Sequence, residues 1–286
     1  MTTPKRIEIS RFPGGKRLAL TLSFDDGDTC DRRIVPAFNE WGLKATFNLN
    51  SALLGRTGKP AVEKHSGPGG HAKLDDSEVA ELYKGHEVAV HSATHPWLER
   101  LSEAQVVEEI LRDRQALEDL VGYPVRGMAY PFGTYSPKVI AILRSLGIVY
   151  SRTTLYADPC FPPQDPLAWH STAHQFAENP TVPERFKAWL ENPRQTGVFY
   201  VWGHGFEFQN REDWGAIERI YKPLSGHEEV WYCTNIELFD YEAARERLVI
   251  AANRRTAYNP SAIPVWVNVD GKLKSIAPGV VVSLED

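Results

Sequence analysis

Leu18-Ala19-Leu20-Thr21-Leu22-Ser23-Phe24 is almost continuously apolar, the pattern of a strand covered on both faces by helices. Up to Ala252 such runs alternate with helical patterns. Asp31 to Trp41 reads as a helix that Pro36 starts or kinks, closed by Gly42, and Lys44 to Leu49 resumes as a strand. Gly55 to Gly70, rich in Gly, Pro and Lys, reads as a surface loop carrying His65 and leading to His71. Asp75 to Tyr83 is a short helix, and a strand follows from His86 to His91. Ser102-Glu103-Ala104-Gln105 is a capping box that opens an amphipathic helix to Val121. A short strand near Arg126 to Tyr130 precedes Pro131-Phe132-Gly133; Ser136-Pro137 starts a helix that Gly147 ends, and Ile148 to Arg152 is the next strand.

The proline-rich stretch from Asp158 to Pro180 reads as a long loop over the strand ends. A helix near Glu184 to Leu190, a strand from Val198 to Gly203, a helix from Trp214 to Tyr221 and a strand from Val230 to Cys233 come next. Asn235 is the expected cap of a closing helix from Ile236 to about Ala252. Beyond it the period changes: Ile263 to Val269 alternates, Asp270-Gly271 signals a hairpin, and Val280-Val281-Val282 is a further strand. The expectation is an α/β fold with a parallel sheet and outer helices over residues 1–252, and a small C-terminal β appendage over residues 253–286.

The strand ends carry the chemistry. The first apolar run stops on Asp25 and Asp26, which need a cation, donors or water if they are to be buried. Glu87-Val88-Ala89-Val90 leads to His91 and His95, and Pro96 keeps the residue before it out of the α region, so the pair stands on a strand-end loop. Two imidazoles and one carboxylate, with positions left open for water, form a common catalytic zinc arrangement. Pro131-Phe132 and His204 also follow strands, and reactive groups at the C-terminal ends of strands are the mark of a barrel active site.

Composition narrows the classes. The 286 residues are 42% hydrophobic with a net charge of -5, which gives no basic face for a nucleic acid. No run of about 18 apolar residues could span a membrane, and Met1 to Arg6 leads into no apolar signal segment, so a cytoplasmic location is expected. Cys30, Cys160 and Cys233 are few and far apart, the pattern of buried thiols and not of a disulfide framework.

SFDDGD followed by HSATH resembles the polysaccharide deacetylase family, the NodB-homology domains of carbohydrate esterase family 4 type. The resemblance implies a distorted (β/α) barrel of about seven strands. It makes Asp25 the general base and Asp26, His91 and His95 the ligands of one divalent metal, zinc or else cobalt, nickel or manganese. It implies an oxyanion and substrate contact at Phe132, through its N-H, and at Tyr130. It makes His204 the general acid, oriented by Asp165, with Trp169 lining the pocket. His174 is taken as a substrate contact. One position departs from the family: Ala129 stands where an arginine normally holds the base, and Arg152 on the next strand end, or less favourably Arg126, is expected to replace it.

The implied activity is metal-dependent deacetylation of an N-acetylated sugar or short saccharide. Two other readings stay open: an allantoinase-like opening of a cyclic amide at the same site, and a catalytically silent saccharide-binding barrel. Acetate release separates the first from the second.

Overall fold

The computed structural model describes residues 6–55 and 71–285, and in it the run from Leu18 is a strand of the main sheet that is buried along its whole length. The first half of the chain forms β1 (Ile7–Ile9), β2 (Leu18–Asp25), α1 (Asp31–Trp41), β3 (Ala45–Leu49), α2 (Val79–Leu82), β4 (Glu87–Val90), α3 (Glu103–Val121), β5 (Gly127–Ala129) and α4 (Pro137–Ser145). There follow β6 (Tyr150–Tyr156), β7 (Trp169–Ser171), β8 (Ala173–His174), α5 (Val182–Glu191), β9 (Gly197–His204), α6 (Phe206–Asn210), α7 (Gly215–Tyr221), β10 (Val230–Tyr232) and α8 (Asn235–Arg247). The chain ends in β11 (Val249–Ile250), β12 (Thr256–Tyr258), β13 (Val265–Val269), β14 (Lys272–Ile276) and β15 (Val281–Ser283).

Neighbouring parallel strands run β7-β6-β5-β4-β3-β2-β9-β8, and β10 pairs with the first residues of β2 below the point where β3 joins at Leu22. The two ends of this path are one segment of chain. Trp169 pairs with Arg152 of β6, Ala173 pairs with Val201 of β9, and between them the Thr172 N-H donates to the Tyr200 carbonyl. The path therefore returns on itself as a distorted barrel in which β7 and β8 share one stave. This corrects the long loop expected from Asp158 to Pro180. The stave Trp-His-Ser-Thr-Ala-His has no apolar period because its polar side chains are bonded inside the fold, as when Thr172 Oγ1 accepts the Tyr200 N-H at 3.0 Å.

β2 shows why its sequence is apolar throughout. Leu18, Leu20, Leu22 and Phe24 face outward into a core with Ile34, Val35 and Phe38 of α1, while Ala19 faces inward with Tyr150, Trp169, Tyr200 and Phe239. Above that aromatic floor the inward positions turn polar. Thr21 Oγ1 donates to Asn235 Oδ1 at 2.7 Å, and Asn235 Nδ2 donates to Tyr200 Oη at 2.8 Å. The two-residue period of β2 then brings Ser23 and Asp25 to the barrel mouth.

Asn235 is thus inside the barrel and does not cap α8. The cap is Thr234, whose side chain accepts from the Glu237 N-H in a capping box. The C-terminal hairpin forms as expected, with β13 and β14 joined at Asp270-Gly271, but β1 from the N-terminal end adds to it as a third strand. β11, β12 and β15 make a second small sheet. Val265, Val267, Ile276 and Leu284 bury against Ala244 and Leu248 at the end of α8. Among the described residues, no helix is long and apolar enough to cross a membrane.

Candidate active site

Four residues around the barrel mouth hold left-handed backbone conformations that non-glycine residues seldom adopt: Asp26 (φ 81°), Ser92 (φ 62°), His95 (φ 58°) and Phe132 (φ 59°). Strain of this kind gathers where side chains must be aimed at one point. Here the aim is shared. Asp26 Oδ1 lies 3.8 Å from His91 Nε2 and 3.7 Å from His95 Nε2. These separations are too long for hydrogen bonds. They are near the ~3.3 Å between ligand atoms of a tetrahedral ion with bonds of about 2.0–2.1 Å.

The imidazoles are prepared for such an ion. His91 Nδ1 lies 2.8 Å from the Ala129 carbonyl, which can only accept, so the proton is on Nδ1 and Nε2 presents its lone pair. Burial pushes the His95 imidazole down to about 4, and lowers His91 too, so both are neutral near pH 7. His95 Nδ1 is buried with no hydrogen-bond partner among the described residues. One carboxylate and two neutral imidazoles suit zinc and its neighbours, so the residues fit the implied metal.

Asp25 is the neighbouring carboxylate. Its Oδ2 stands 4.0 Å from His91 Nε2, and its Oδ1 accepts from Asn48 Nδ2 at 2.9 Å. Arg152 Nη2 donates to Oδ2, with the guanidinium 4.5 Å over the Trp202 ring. The arginine absent from residue 129 therefore enters from the next strand: Ala129 and Arg152 are register partners in the β5/β6 ladder. Arg126 makes a bidentate pair with Asp240 (3.0 and 2.7 Å) and is elsewhere. Burial raises the Asp25 carboxyl, but Arg152, then His91 and His204, bring it below the ordinary carboxylate value. Burial likewise raises Asp26, and Lys73, His204, His91 and His95 bring it well below.

His204 ends β9 with Nε2 3.8 Å from Asp25 Oδ2. Its Nδ1 lies 3.0 Å from Glu207 Oε1, and His174 Nε2 lies 3.1 Å from the same oxygen. Burial alone would lower the His204 imidazole, but Glu207, Asp25 and Asp26 raise it above its ordinary value.

His174, His204 and Glu207 also come close enough to hold an ion. Unlike the first group, their atoms are already bonded to one another.

Other expected residues lie differently. Asp165 does not reach His204: its carboxylate accepts from Arg144 Nη2 at 2.9 Å and from the Leu167 N-H at 2.9 Å. Trp169 does not line an open pocket but is fully buried, stacked 4.2 Å from Tyr200 with Nε1 donating to the Cys160 carbonyl. Tyr130 is buried and its hydroxyl donates to the Leu167 carbonyl at 2.7 Å, inside the fold. Phe132 is at the mouth, stacked on Trp97 at 4.0 Å and edge-on to His95 at 4.5 Å. His65 lies outside the described residues, and His71 stacks on Phe206 at 4.5 Å.

Four supporting residues carried no usable sequence signal. Asn48 holds Asp25, and Lys73 Nζ donates to the Asp26 carbonyl at 3.0 Å. Asp113 of α3 accepts the Ser51 N-H (2.7 Å) and the His91 N-H (3.0 Å), tying the ends of β3 and β4 together. Glu207 follows His204 at helical spacing, which only the presence of α6 makes meaningful.

Residues 12–151 match the polysaccharide deacetylase family. Over 135 residues the chain is 30% identical to the peptidoglycan-N-acetylglucosamine deacetylase PgdA of Listeria monocytogenes, covering 46% of this chain and 25% of that protein. It is 28% identical over 130 residues to a chitooligosaccharide deacetylase of Bradyrhizobium, covering 44% and 52%. The chain thus spans between a quarter and about half of the curated relatives it matches. Among solved structures, one from Mycobacterium smegmatis superposes with a TM-score of 0.58 at 16% identity, covering 82% of this chain and 93% of that one. The Xyl-CE4 domain of a multidomain xylanase from the hindgut metagenome of Trinervitermes trinervoides gives 0.52 at 20% identity, covering 80% and 92%. These two likenesses concern the fold.

Proposed function

With residues 12–151 of the chain belonging to the polysaccharide deacetylase family, we propose that the protein is a metal-dependent hydrolase that removes the acetyl group from an N-acetylated sugar or short saccharide. The observation that carries the reading is the convergence of Asp26, His91 and His95 on one point, with Arg152-paired Asp25 beside it.

A divalent cation held by Asp26, His91 and His95, with zinc the first choice, would polarise the acetamide carbonyl and make water acidic enough to attack it at neutral pH. Asp25, kept ionised by Arg152, takes the proton from that water. The Phe132 N-H is assigned to the carbonyl oxygen as negative charge develops there. His204 gives the proton on Nε2 to the departing nitrogen as the C-N bond breaks, so the products are acetate and an amine. Arg152 and Asn48 fix the two Asp25 oxygens, and Asp113 fixes the backbone of His91.

The direct test is to incubate zinc-loaded protein with N-acetylated chitooligosaccharides and, separately, with cyclic amides. Acetate release from the first set is expected. Ring opening of the second set alone would move the assignment to a cyclic-amide hydrolase, and saccharide binding without turnover would make the barrel a silent binder.

Arg152→Ala tests the relocated arginine. Losing an outer partner of this kind is expected to lower kcat/KM by about 10- to 100-fold. With the guanidinium gone, burial is left to raise the Asp25 carboxyl, so the acid limb of the pH profile moves to higher pH. Breaking a fully buried pair also destabilises the fold by about 3–5 kcal/mol, visible as a lower Tm. An unchanged kcat and pH profile would remove Arg152 from the site.

A further inference from the structure

We propose that Glu207 is the positioning residue of the proton-donating histidine, and that His174, Gln175 and Tyr221 hold Glu207 to that task. The inference rests on the acid role given to His204 above and names what aims and charges it.

α6 begins two residues after His204, and its first turn returns the Glu207 carboxylate to His204 Nδ1 at 3.0 Å. A carboxylate oxygen accepts, so the proton shared with Glu207 belongs to Nδ1. Nε2 is then the nitrogen that gains and loses a proton, and it is the one 3.8 Å from Asp25. The phenomenon would be trivial if Glu207 were free to turn away, but each of its oxygens is taken.

Oε1 also faces His174 Nε2 at 3.1 Å. The Phe176 N-H points at His174 Nδ1 from 3.3 Å, so Nδ1 accepts and it is the Nε2 N-H of His174 that faces Glu207. Gln175 Nε2 donates to Glu207 Oε2 at 2.6 Å and to the His204 carbonyl at 2.8 Å, while Gln175 Oε1 accepts from Tyr221 Oη at 2.9 Å. Gly203 admits this amide: a Cβ there would come within 2.2 Å of Gln175 Cδ. Three donors, two from the adjacent residues His174 and Gln175 and one from the end of β9, thus converge on one carboxylate, which is the environment of an ionised group.

The charges facing His204 are Asp25 at the end of β2, Asp26 just after it, and Glu207 from α6. Arg152 on β6 is committed to Asp25, Lys73 stands beside Asp26, and His174 lies behind Glu207. His71 reaches this corner only through Phe206, which lies 4.7 Å from the His204 ring. Among the described residues Glu207 makes the direct bond to the His204 ring, whereas Asp165 is paired with Arg144 at 2.9 Å.

The test is an NMR titration of the histidines in zinc-loaded wild-type protein, Glu207→Gln and Asp165→Asn, together with the pH dependence of kcat/KM in the first two. Glutamine keeps the shape and removes the charge. The His204 pKa is expected to fall by about one unit in Glu207→Gln. Because protonated His204 is the donor, the alkaline limb then moves to lower pH by the same amount. Asp165→Asn is expected to leave the His204 titration where it is. An unmoved His204 pKa in folded Glu207→Gln, or a fall in Asp165→Asn, overturns the proposal. The titration needs no turnover, so a wild-type protein that releases no acetate would count against the hydrolase reading while the pKa comparison still decides the role of Glu207.

Discussion

Asp25→Asn is expected to lower kcat/KM for acetate release by about 10²- to 10⁴-fold, the range that a positioned general base supplies. The substitution removes the proposed base and leaves Asp26, His91 and His95 in place, so metal binding should survive. That separation is the diagnostic feature. It also leaves Arg152, which is fully buried, facing a neutral amide, and the loss of a buried counter-charge is destabilising by about 3–5 kcal/mol. Metal content, Tm and kcat/KM measured on one preparation distinguish a lost base from a collapsed site. A folded, metal-loaded Asp25→Asn that keeps its activity would show that another group takes the proton.

His95→Ala is expected to act on the metal itself. His95 packs edge-on against Phe132 and its Nδ1 has no partner among the described residues, so the ring can be removed with little lost besides packing. Deleting one of three ligands should weaken zinc binding by more than the 10- to 100-fold that loss of an outer-shell partner costs, with activity falling in parallel. Chelation of wild-type protein should abolish activity and zinc should restore it, while in His95→Ala restoration should need far more metal. Equal zinc affinity in the two proteins would exclude His95 as a ligand.

The sequence made some of this site readable and hid the rest for physical reasons. Asp25, Asp26, His91 and His95 were legible because each polar group ends a strand whose apolar residues are unmistakable, and a strand end in a parallel sheet faces the barrel mouth. The exchange of Ala129 for Arg152 was legible once the missing charge was noticed, and the β5/β6 register explains it: adjacent strands present partner positions to the same interior. Glu207 was not legible, because a glutamate three residues after a histidine means nothing until a helix is known to begin between them. Motif position points to Asp165 instead, but its carboxylate caps a turn and pairs with Arg144. The stave from Trp169 to His174 carries no apolar period because His170, Thr172 and His174 bond to Thr153, Tyr200 and Glu207 elsewhere in the fold, which erases the pattern that announces a strand. The pairing of β1 with β13 joins residues at opposite ends of the chain, a contact that no local pattern encodes.

The central claim is that Asp26, His91 and His95 hold one divalent cation with Asp25 free beside it. Anomalous diffraction from zinc-loaded crystals, recorded on either side of the zinc edge, locates the ion without reference to any assay. The account predicts a single strong peak about 2.0–2.2 Å from Asp26, His91 Nε2 and His95 Nε2. No peak there, or one lying instead between His174, His204 and Glu207, would contradict it.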